Sequence, residues 1–432
     1  MADLSRLAFR ASAVVSALAL TLGFGLYSGD KHNALFKTVS GVGDTVKDLA
    51  GMLRWRPVRF LRTAVYRGAG VTVNKVGTDD LVLLSGFLGD DQKAELIQRD
   101  GKIIHAWRLR PLELLPSAKQ CRNPPLTNWK TAAHNTIIQP DGSIVVSFES
   151  CGMVKLDRCG RKLWATRQIT HHSPNFLANG GIAIGGGELV KRKMPWPFVS
   201  PFWEDTVDKY DANGKLVMRK PATALFLANG WAPQLTASTA FDAKIDGEFH
   251  LNEVEELSPA LAPKFPMFRA GDLLASFRNL NLLVVTDANF EKIKWSRTGP
   301  WIRQHDPDWN ANGWITVFDN HPDGTDRGRV NGGSRIVAVN PATNETKTLY
   351  GGIKGQNFSS SERGLHQMQP DGSILITEAY YGRAFQVNPS GQVVWEYINR
   401  YDANNAAWLH GAEAWPRSYF TVKDWSCKAG GA

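Results

Sequence analysis

The hexapeptide QPDGSI occurs twice in this chain, at Gln139–Ile144 and at Gln369–Ile374. The first copy leads into SIVVSFESCGMVKLDRCGRKLWA and the second into SILITEAYYGRAFQVNPSGQVVWEY. Each stretch has alternating apolar and polar residues interrupted by turns that contain glycine, and this pattern predicts an antiparallel meander of four strands. The last hairpin of the unit recurs, with ends near residues 107, 164, 218, 295, 349 and 395. Few folds are compatible with six such units in one chain.

Units of four strands at this spacing are typical of propeller blades, so the sequence predicts an all-β fold, a six-bladed β-propeller. The longest step, from 218 to 295, predicts an insertion in the fourth blade around SPALAPKFPMFRAGD. The C-terminal WLHGAEAW is expected to return as the inner strand of blade one, beside LVLLSGFL. Such a closure leaves no free sheet edge. We assign residues 68–432 to the propeller.

The N-terminus has the pattern of a membrane-targeting helix. Arg6 and Arg10 precede an apolar run at Ala11–Tyr27, which is short for a membrane span. The candidate small-residue cleavage site, Ala17 to Ala19, lies inside the run, so we favour an uncleaved anchor over a cleaved signal peptide for residues 1–30. Residues 31–67 then form a stalk or a membrane-surface helix, with a solvated linker as the alternative. Both interpretations predict that the propeller lies outside the cytoplasm.

The charge and the cysteines restrict the partners and the compartment. A net charge of +9 permits a nucleic-acid partner, but we expect none because the chain has no dense Lys/Arg block that would follow a nucleic-acid backbone. A small anionic substrate or an anionic membrane surface explains the charge equally well. Four cysteines without a CxxC spacing fit an oxidising compartment and at most two disulfides. Cys121–Cys151 is the favoured pair, because a strand should separate Cys151 from Cys159.

Histidine recurs near the start of the inner strand in every predicted blade. Because inner strands line the channel of a propeller, we expect these side chains to converge on one mouth of the channel. The residues are His134, His171 or His172, His250, His305, His366 and His410. A structural histidine copied with the repeat is the alternative explanation.

Three functions compete for such a ring. A metal site is disfavoured because no HxH or HxxxH pair is present, and because adjacent His171 and His172 should point to opposite faces of a strand. A passive binding propeller does not require so many imidazoles. Group transfer to or from an anionic substrate uses histidine both as nucleophile and as general acid or base.

From Gly70 to Ser418 the chain resembles the bacterial periplasmic arylsulfate sulfotransferases. The motifs that carry the resemblance are, in order, GKIIHAW, FHLN, SFRN, RQHD, WITVFDN, GGSRIV and PSGQVVWEY. The resemblance implies a six-bladed propeller on the periplasmic side of the inner membrane. It also implies transfer of a sulfuryl group from an aryl sulfate to a phenol through a sulfated histidine, without nucleotide cofactor or metal. The alternative is a non-catalytic, membrane-anchored propeller that binds a ligand or protein.

The resemblance also suggests roles for individual residues. His305 of RQHD is similar to the nucleophile, and His250 and Arg278 are the other catalytic candidates. Asn252, His171, His172 and His366 are the substrate-binding candidates, with His171 preferred over His172. Asn252 and His250 alternate by two, so both should face the channel. In the competing structural interpretation Asn252 caps a turn, and Arg278 pairs with Glu255 or Glu256.

The chain also departs from the family pattern. Arg278 is followed by Asn-Leu-Asn, and the FDN motif is followed by His321. Aromatic residues near the channel ends would suit a phenol by stacking, although blade packing is the better expectation for most of them. They are Trp301, Trp309, Trp314, Tyr380 and Tyr381.

Overall fold

A computed structural model describes residues 57–194, 198, 200–233 and 249–427. The predicted membrane-targeting helix and most of the predicted stalk lie outside these residues. Within the described part of the chain, no helix has the length and apolar character needed to cross a membrane.

The fold is a six-bladed β-propeller, as predicted. The strands before blade one and in blades one to three are β1 (Leu61–Thr63), β2 (Gly70–Asn74), β3 (Leu81–Leu88), β4 (Asp91–Gln98), β5 (Ile103–Arg108), β6 (Ala133–Ile138), β7 (Ile144–Phe148), β8 (Gly152–Leu156), β9 (Lys162–Ala165), β10 (Ile169–Phe176), β11 (Ile182–Val190), β12 (Phe202–Tyr210) and β13 (Leu216–Pro221). The remaining strands are β14 (Leu251–Glu256), β15 (Leu273–Phe277), β16 (Leu282–Thr286), β17 (Ile293–Thr298), β18 (His305–Trp309), β19 (Ile315–Asp319), β20 (Arg335–Val339), β21 (Thr346–Gly351), β22 (Leu365–Met368), β23 (Ile374–Glu378), β24 (Arg383–Val387), β25 (Val393–Ile398), β26 (Asn405–Ala407) and β27 (Leu409–Trp415).

Each blade is an antiparallel meander whose first strand lies innermost. Blade one has the order β27-β3-β4-β5, blades two to five use consecutive sets of four strands, and blade six has the order β22-β23-β24-β25 with β2 added outside. The predicted closure is therefore confirmed, with Ala412 of β27 opposite Leu84 of β3. The short strands β1 and β26 form a separate pair.

Helices are few. They are α1 (Pro111–Leu114), α2 (Ala222–Ala228) and the 3-10 turns Val58–Phe60, Ala118–Gln120, Ala262–Lys264, Arg278–Leu280, Asp326–Gly328 and Arg417–Tyr419. The predicted insertion corresponds to the connection between β14 and β15, which contains the turn at Ala262–Lys264. Helix α2 and the residues after it, between β13 and β14, account for the rest of the extra length.

The repeated QPDGSI is a tight hairpin turn. In the first copy the amide of Gln139 donates to the carbonyl of Ser143, and Gly142 adopts a left-handed φ of 77°. Gln369, Ser373 and Gly372 repeat this arrangement. Such a φ favours glycine, so the turn fixes where each inner strand reverses its direction.

The core lies between adjacent blades. Middle strands such as β7 and β16 are buried along their whole length, because neighbouring blades cover both faces. Their sequences, IVVSF and LLVVT, are therefore nearly continuous apolar runs and not strict alternations. The outer strand β9 is exposed or half-buried throughout.

Two disulfides connect the four cysteines. Cys121–Cys151 was the predicted pair, and it closes a loop between residues 30 positions apart. Cys159 bonds to Cys427, which is 268 positions away in sequence. This second bond ties the C-terminal segment to blade two, a contact that no local pattern could have indicated.

Candidate active site in a histidine-lined cavity

A polar cavity of about 250 Å³ lies where the inner strands of blades two to five begin. It is lined by five histidines, three arginines, three carboxylates and one serine. They are His134, His171, His172, His250, His305, Arg122, Arg278, Arg363, Glu149, Asp205, Glu362 and Ser150. Its lining contains every predicted catalytic residue.

The repeat explains why the histidines meet. His134 lies near the start of β6, His250 directly precedes β14, and His305 is the first residue of β18. Every blade presents the same end of its inner strand to the same side of the channel. The expectation of convergence is therefore fulfilled for blades two to five.

His172 occupies the middle of this group. Its ring centroid lies 4.7 Å from those of His134 and His250, and 6.2 Å from that of His305. The expectation that His171 and His172 point to opposite faces is wrong, because both line the cavity. His172 has a left-handed φ of 64°, and the register of β10 shifts after His171, so the chain does not alternate here. The preference for His171 over His172 has no support in this arrangement.

Three rings form a hydrogen-bonded chain. His171 Nε2 lies 3.0 Å from the carbonyl of Gly186, His171 Nδ1 lies 2.8 Å from His172 Nδ1, and His172 Nε2 lies 3.1 Å from His250 Nε2. Since a carbonyl only accepts, His171 Nε2 must donate. When each ring carries one proton, His172 Nδ1 donates to His171, and His250 Nε2 donates to His172. The lone pair of His250 is then on Nδ1.

Burial makes these rings poor proton carriers. The pKa of His134, His172 and His250 lies well below the usual value, and burial is the largest cause for all three rings. For His250, the charge of Arg278 is the second-largest cause. The mutual repulsion of neighbouring imidazolium ions adds to the effect. At neutral pH these three side chains are therefore uncharged hydrogen-bonding groups.

Asn320 fixes the orientation of His305. The Nδ2 of Asn320 donates to the carbonyls of Ser360 and Arg363, at 2.7 and 2.6 Å, so its Oδ1 must face the ring. His305 Nδ1 lies 2.6 Å from that oxygen. The ring proton is therefore on Nδ1, and Nε2 carries the lone pair. Burial, followed by the charge of Arg278, lowers the pKa of His305 to about 3.

Arg278 begins the 3-10 turn that follows β15. Its Nε donates to Asn279 Oδ1 at 3.3 Å, and its terminal nitrogens have no hydrogen-bonding partner among the described residues. The alternative pairing with Glu255 or Glu256 does not occur. Glu255 accepts from the amide of Trp309, and Glu256 lies 3.7 Å from Lys209. The guanidinium of Arg278 thus remains able to bind an anion.

Asn252 and His366 do not line this cavity. His250 has a left-handed φ of 53°, and the register of β14 shifts between residues 251 and 253, so the expected alternation of His250 and Asn252 fails. Asn252 lines a smaller cavity and donates to the carbonyl of Gln304 at 2.7 Å. His410 lines that smaller cavity as well.

His366 belongs to a separate cluster with Asp306 and Asp308. Ligand atoms of these three side chains lie within 4.8 Å of one another, which is the grouping that could hold a metal ion in the described chain. However, His366 Nδ1 already bonds Asp306 at 2.8 Å, and its Nε2 lies 2.7 Å from Thr316 Oγ1. Both ring nitrogens are therefore used within the protein.

None of the predicted aromatic residues lines the histidine cavity. Trp301 and Trp309 are buried in a hydrophobic cluster, Trp314 packs under the ammonium of Lys347, and Tyr380 packs on Trp408. Packing within the blades therefore explains Trp301 and Trp309, whereas the hydroxyl of Tyr380 donates to Glu362 Oε2 of the cavity lining at 2.7 Å. His321 also lies elsewhere, next to Arg335 and Asp319.

Sequence reasoning missed Asn320, Arg363, Arg122 and the three carboxylates. Asn320 had a signal, because it ends the FDN motif that carried part of the resemblance. Arg363 and Glu149 had none, since they come from blades six and two and meet only across the channel.

Comparison with known proteins gives one family. Residues 135–400 match the family model described as Arylsulfotransferase (ASST). A search of the curated proteins gives no match. Similar solved structures include a protein of unknown function from Bacteroides caccae, with a TM-score of 0.47, 12% identity, and coverage of 74% of this chain and 94% of that one. The WD40 β-propeller domain of Doa1 aligns with a TM-score of 0.40, 10% identity, and coverage of 84% and 99%.

Proposed function

Because this chain belongs to the arylsulfotransferase (ASST) family, we propose that it moves a sulfuryl group from an aryl sulfate ester to a phenolic acceptor through His305. The observation that carries this proposal is the fixed ring of His305. Asn320 holds the proton on Nδ1 and thereby leaves the Nε2 lone pair as a nucleophile. Arg278 lies nearby, and among the described residues its terminal nitrogens have no hydrogen-bonding partner.

In the first half-reaction, Nε2 of His305 attacks sulfur and an N–S bond forms. The bond between sulfur and the aryl oxygen breaks, and its electron pair leaves with the phenolate. Arg278 supports this step because its guanidinium can donate to sulfuryl oxygens in the desolvated cavity. The histidines next to His305 are uncharged and are weak acids, so the phenolate leaves as an anion. Donors with acidic phenols should therefore react fastest.

In the second half-reaction, the acceptor phenol attacks sulfur and the N–S electron pair returns to Nε2 of His305. The phenolic proton passes to a neutral histidine, because the anionic sulfuryl group beside the ring favours its protonated form and opposes the pKa lowering caused by burial. His250 is the candidate base, since its Nδ1 lone pair is unused when Nε2 donates to His172. The ester is itself the sulfuryl donor, so the proposed cycle requires no nucleotide.

We also propose that the enzyme lies on the periplasmic side of the inner membrane, anchored by residues 1–30, with a periplasmic protein released by cleavage as the alternative. The two disulfides support an oxidising compartment, because such bonds rarely persist in the cytosol. The runner-up function, a membrane-anchored binding propeller, uses the same cavity for a ligand that does not react.

The decisive test follows release of nitrophenolate from 4-nitrophenyl sulfate by the full chain, with and without phenol. We expect release that depends on phenol and disappears in His305→Ala. His105→Ala is the matched control, because His105 lies in the outer strand β5 and packs on Trp107, away from the cavity. Mass spectrometry of the donor-treated protein should find one sulfuryl group on the peptide that contains His305. Release that survives in folded His305→Ala would refute the proposed nucleophile, and no release with any phenol would favour the binding propeller.

A further inference from the structure

The side chain of Arg363 lines the histidine cavity and has one buried nitrogen without a hydrogen-bonding partner among the described residues. Its side chain is only 10% exposed, and it lines both the main cavity and the smaller one. Nη2 donates to Glu149 Oε2 at 3.1 Å, but the buried Nη1 has no hydrogen-bonding partner among the described residues. A guanidinium remains charged inside proteins, so this donor cannot be relieved by loss of a proton.

The backbone around Arg363 holds this side chain in place. Arg363 has a left-handed φ of 60°, which is uncommon for a residue with a side chain. Gly364 follows with a φ of 102°, and a Cβ on it would lie 2.4 Å from the ring of Phe318. The carbonyl of Arg363 accepts from Asn320, whose other end holds His305. One amide side chain thus sets the position of Arg363 relative to the imidazole.

Arg363 and Arg278 come from different blades, and both act on His305. The charges of both guanidinium groups contribute to the lowered pKa of His305, with Arg278 the larger of the two. Arg363 also lowers the pKa of His134, after the effect of burial. A group bound at Nε2 of His305 would therefore lie in the field of two cations.

We propose that Arg363 is a second anion-binding residue of this cavity, with Nη1 donating to a nonbridging oxygen of the sulfuryl group that Arg278 also binds. This role rests on the proposed function for the identity of the anion. A sulfuryl group on His305 presents three such oxygens, so two arginines can each take a different one. The ion pair with Glu149 then orients Arg363 through Nη2 and leaves Nη1 for the substrate.

The test compares Arg363→Gln with Glu149→Gln. Both substitutions remove the ion pair between the two side chains, but only the first removes the Nη1 donor. Calorimetric titration of the full chain with inorganic sulfate measures binding without turnover. We expect Arg363→Gln to raise the Kd on the order of 10- to 100-fold, the loss of one charge-assisted hydrogen bond. Glu149→Gln keeps a side-chain oxygen that can accept from Nη2 and so still orient Arg363. It should therefore change the Kd less than about threefold, towards tighter binding, because a negative charge leaves the cavity lining. Arg363→Lys should fall between, since an ammonium keeps the charge without the fork.

Turnover of 4-nitrophenyl sulfate separates this inference from the proposed function. If Arg363 acts on the sulfuryl group, Arg363→Gln should lower kcat/KM, and Arg363→Lys should restore part of it. Equal losses in Arg363→Gln and Glu149→Gln would show a structural ion pair and overturn the proposal. Sulfate binding unchanged in Arg363→Gln, or absent from the wild-type chain, would also overturn it. Sulfate binding that depends on Arg363 without any transfer to phenol would refute the proposed function and leave the anion site intact.

Discussion

The burst of nitrophenolate from the first half-reaction should remain constant as the pH falls from about 8 to about 5. The reason is the environment of His305, where burial and Arg278 lower the pKa to about 3. A group whose folded pKa is depressed in this way keeps its lone pair until the pH approaches that value. The nucleophile is therefore uncharged throughout this range.

The two possible outcomes differ by more than an order of magnitude. A histidine with an ordinary pKa of about 6.5 is roughly 3% neutral at pH 5, so the burst rate would fall about 30-fold. With a pKa of about 3, about 99% of the ring remains neutral at that pH. His134, His172 and His250 should not introduce an inflection of their own, because burial also holds their pKa well below the usual value.

The assay is rapid mixing of the full chain with excess 4-nitrophenyl sulfate, an alkaline quench, and measurement of the nitrophenolate burst at each pH. Arg278→Gln removes the second-largest cause of the shift, so its pH profile should bend at a higher pH than that of the wild type. The shape of the profile is compared, since this variant also loses sulfate binding. Circular dichroism at each pH verifies the fold. An inflection near pH 6.5 in folded wild-type protein would refute the reasoning.

Three further predictions concern Asn320, the second disulfide and the closure of the ring. Asn320→Ala should lower kcat about 10- to 100-fold, because the nucleophile loses its fixed tautomer. It should also lower the free energy of unfolding by about 2 to 4 kcal/mol, because two buried carbonyls lose their donor. Unchanged burst kinetics would contradict this prediction. Cys427→Ser should lower Tm, because it releases the C-terminal segment from Cys159. The burst rate at 25 °C should stay within about twofold of the wild-type rate. An unchanged Tm would contradict the proposed stabilisation. Gly86→Ala should lower the free energy of unfolding by at least about 2 kcal/mol, because the new Cβ would lie 2.5 Å from the carbonyl oxygen of Trp408 where the ring closes. Denaturant titration measures this free energy, and a value equal to that of the wild type would contradict the prediction.

Much of the fold could be predicted because its signals are local. Turn glycines, alternating residues and the recurring tryptophan report hairpins within a few tens of residues, and six hairpins of one kind imply a closed ring. The Cys121–Cys151 pair followed from the same strand assignments. The boundaries given to the N-terminal segments remain predictions, as they fall largely outside the described residues.

The sites of failure share a physical cause. His172 and His250 both adopt left-handed backbone conformations, which the alternation of a regular strand does not describe. Strand periodicity therefore assigned the wrong face to one of the adjacent histidines and placed Asn252 in the wrong cavity. Backbone strain of this kind is common at functional sites, where the surrounding structure compensates for it.

The sequence by itself determined the number of blades and the presence of a histidine near the start of each inner strand, because each of these depends on residues close together in the chain. The closure by the C-terminal strand followed from the strand count, since blade one needs an inner strand from elsewhere in the chain. Only the tertiary structure decided which histidines share a cavity and which ring nitrogen of His305 carries the proton. It also placed Arg363 of blade six opposite Glu149 of blade two, 214 positions away in sequence. Such contacts depend on how separate blades pack around the channel. That packing brings together residues that are far apart in sequence, and the pattern within a single repeat carries no information about it.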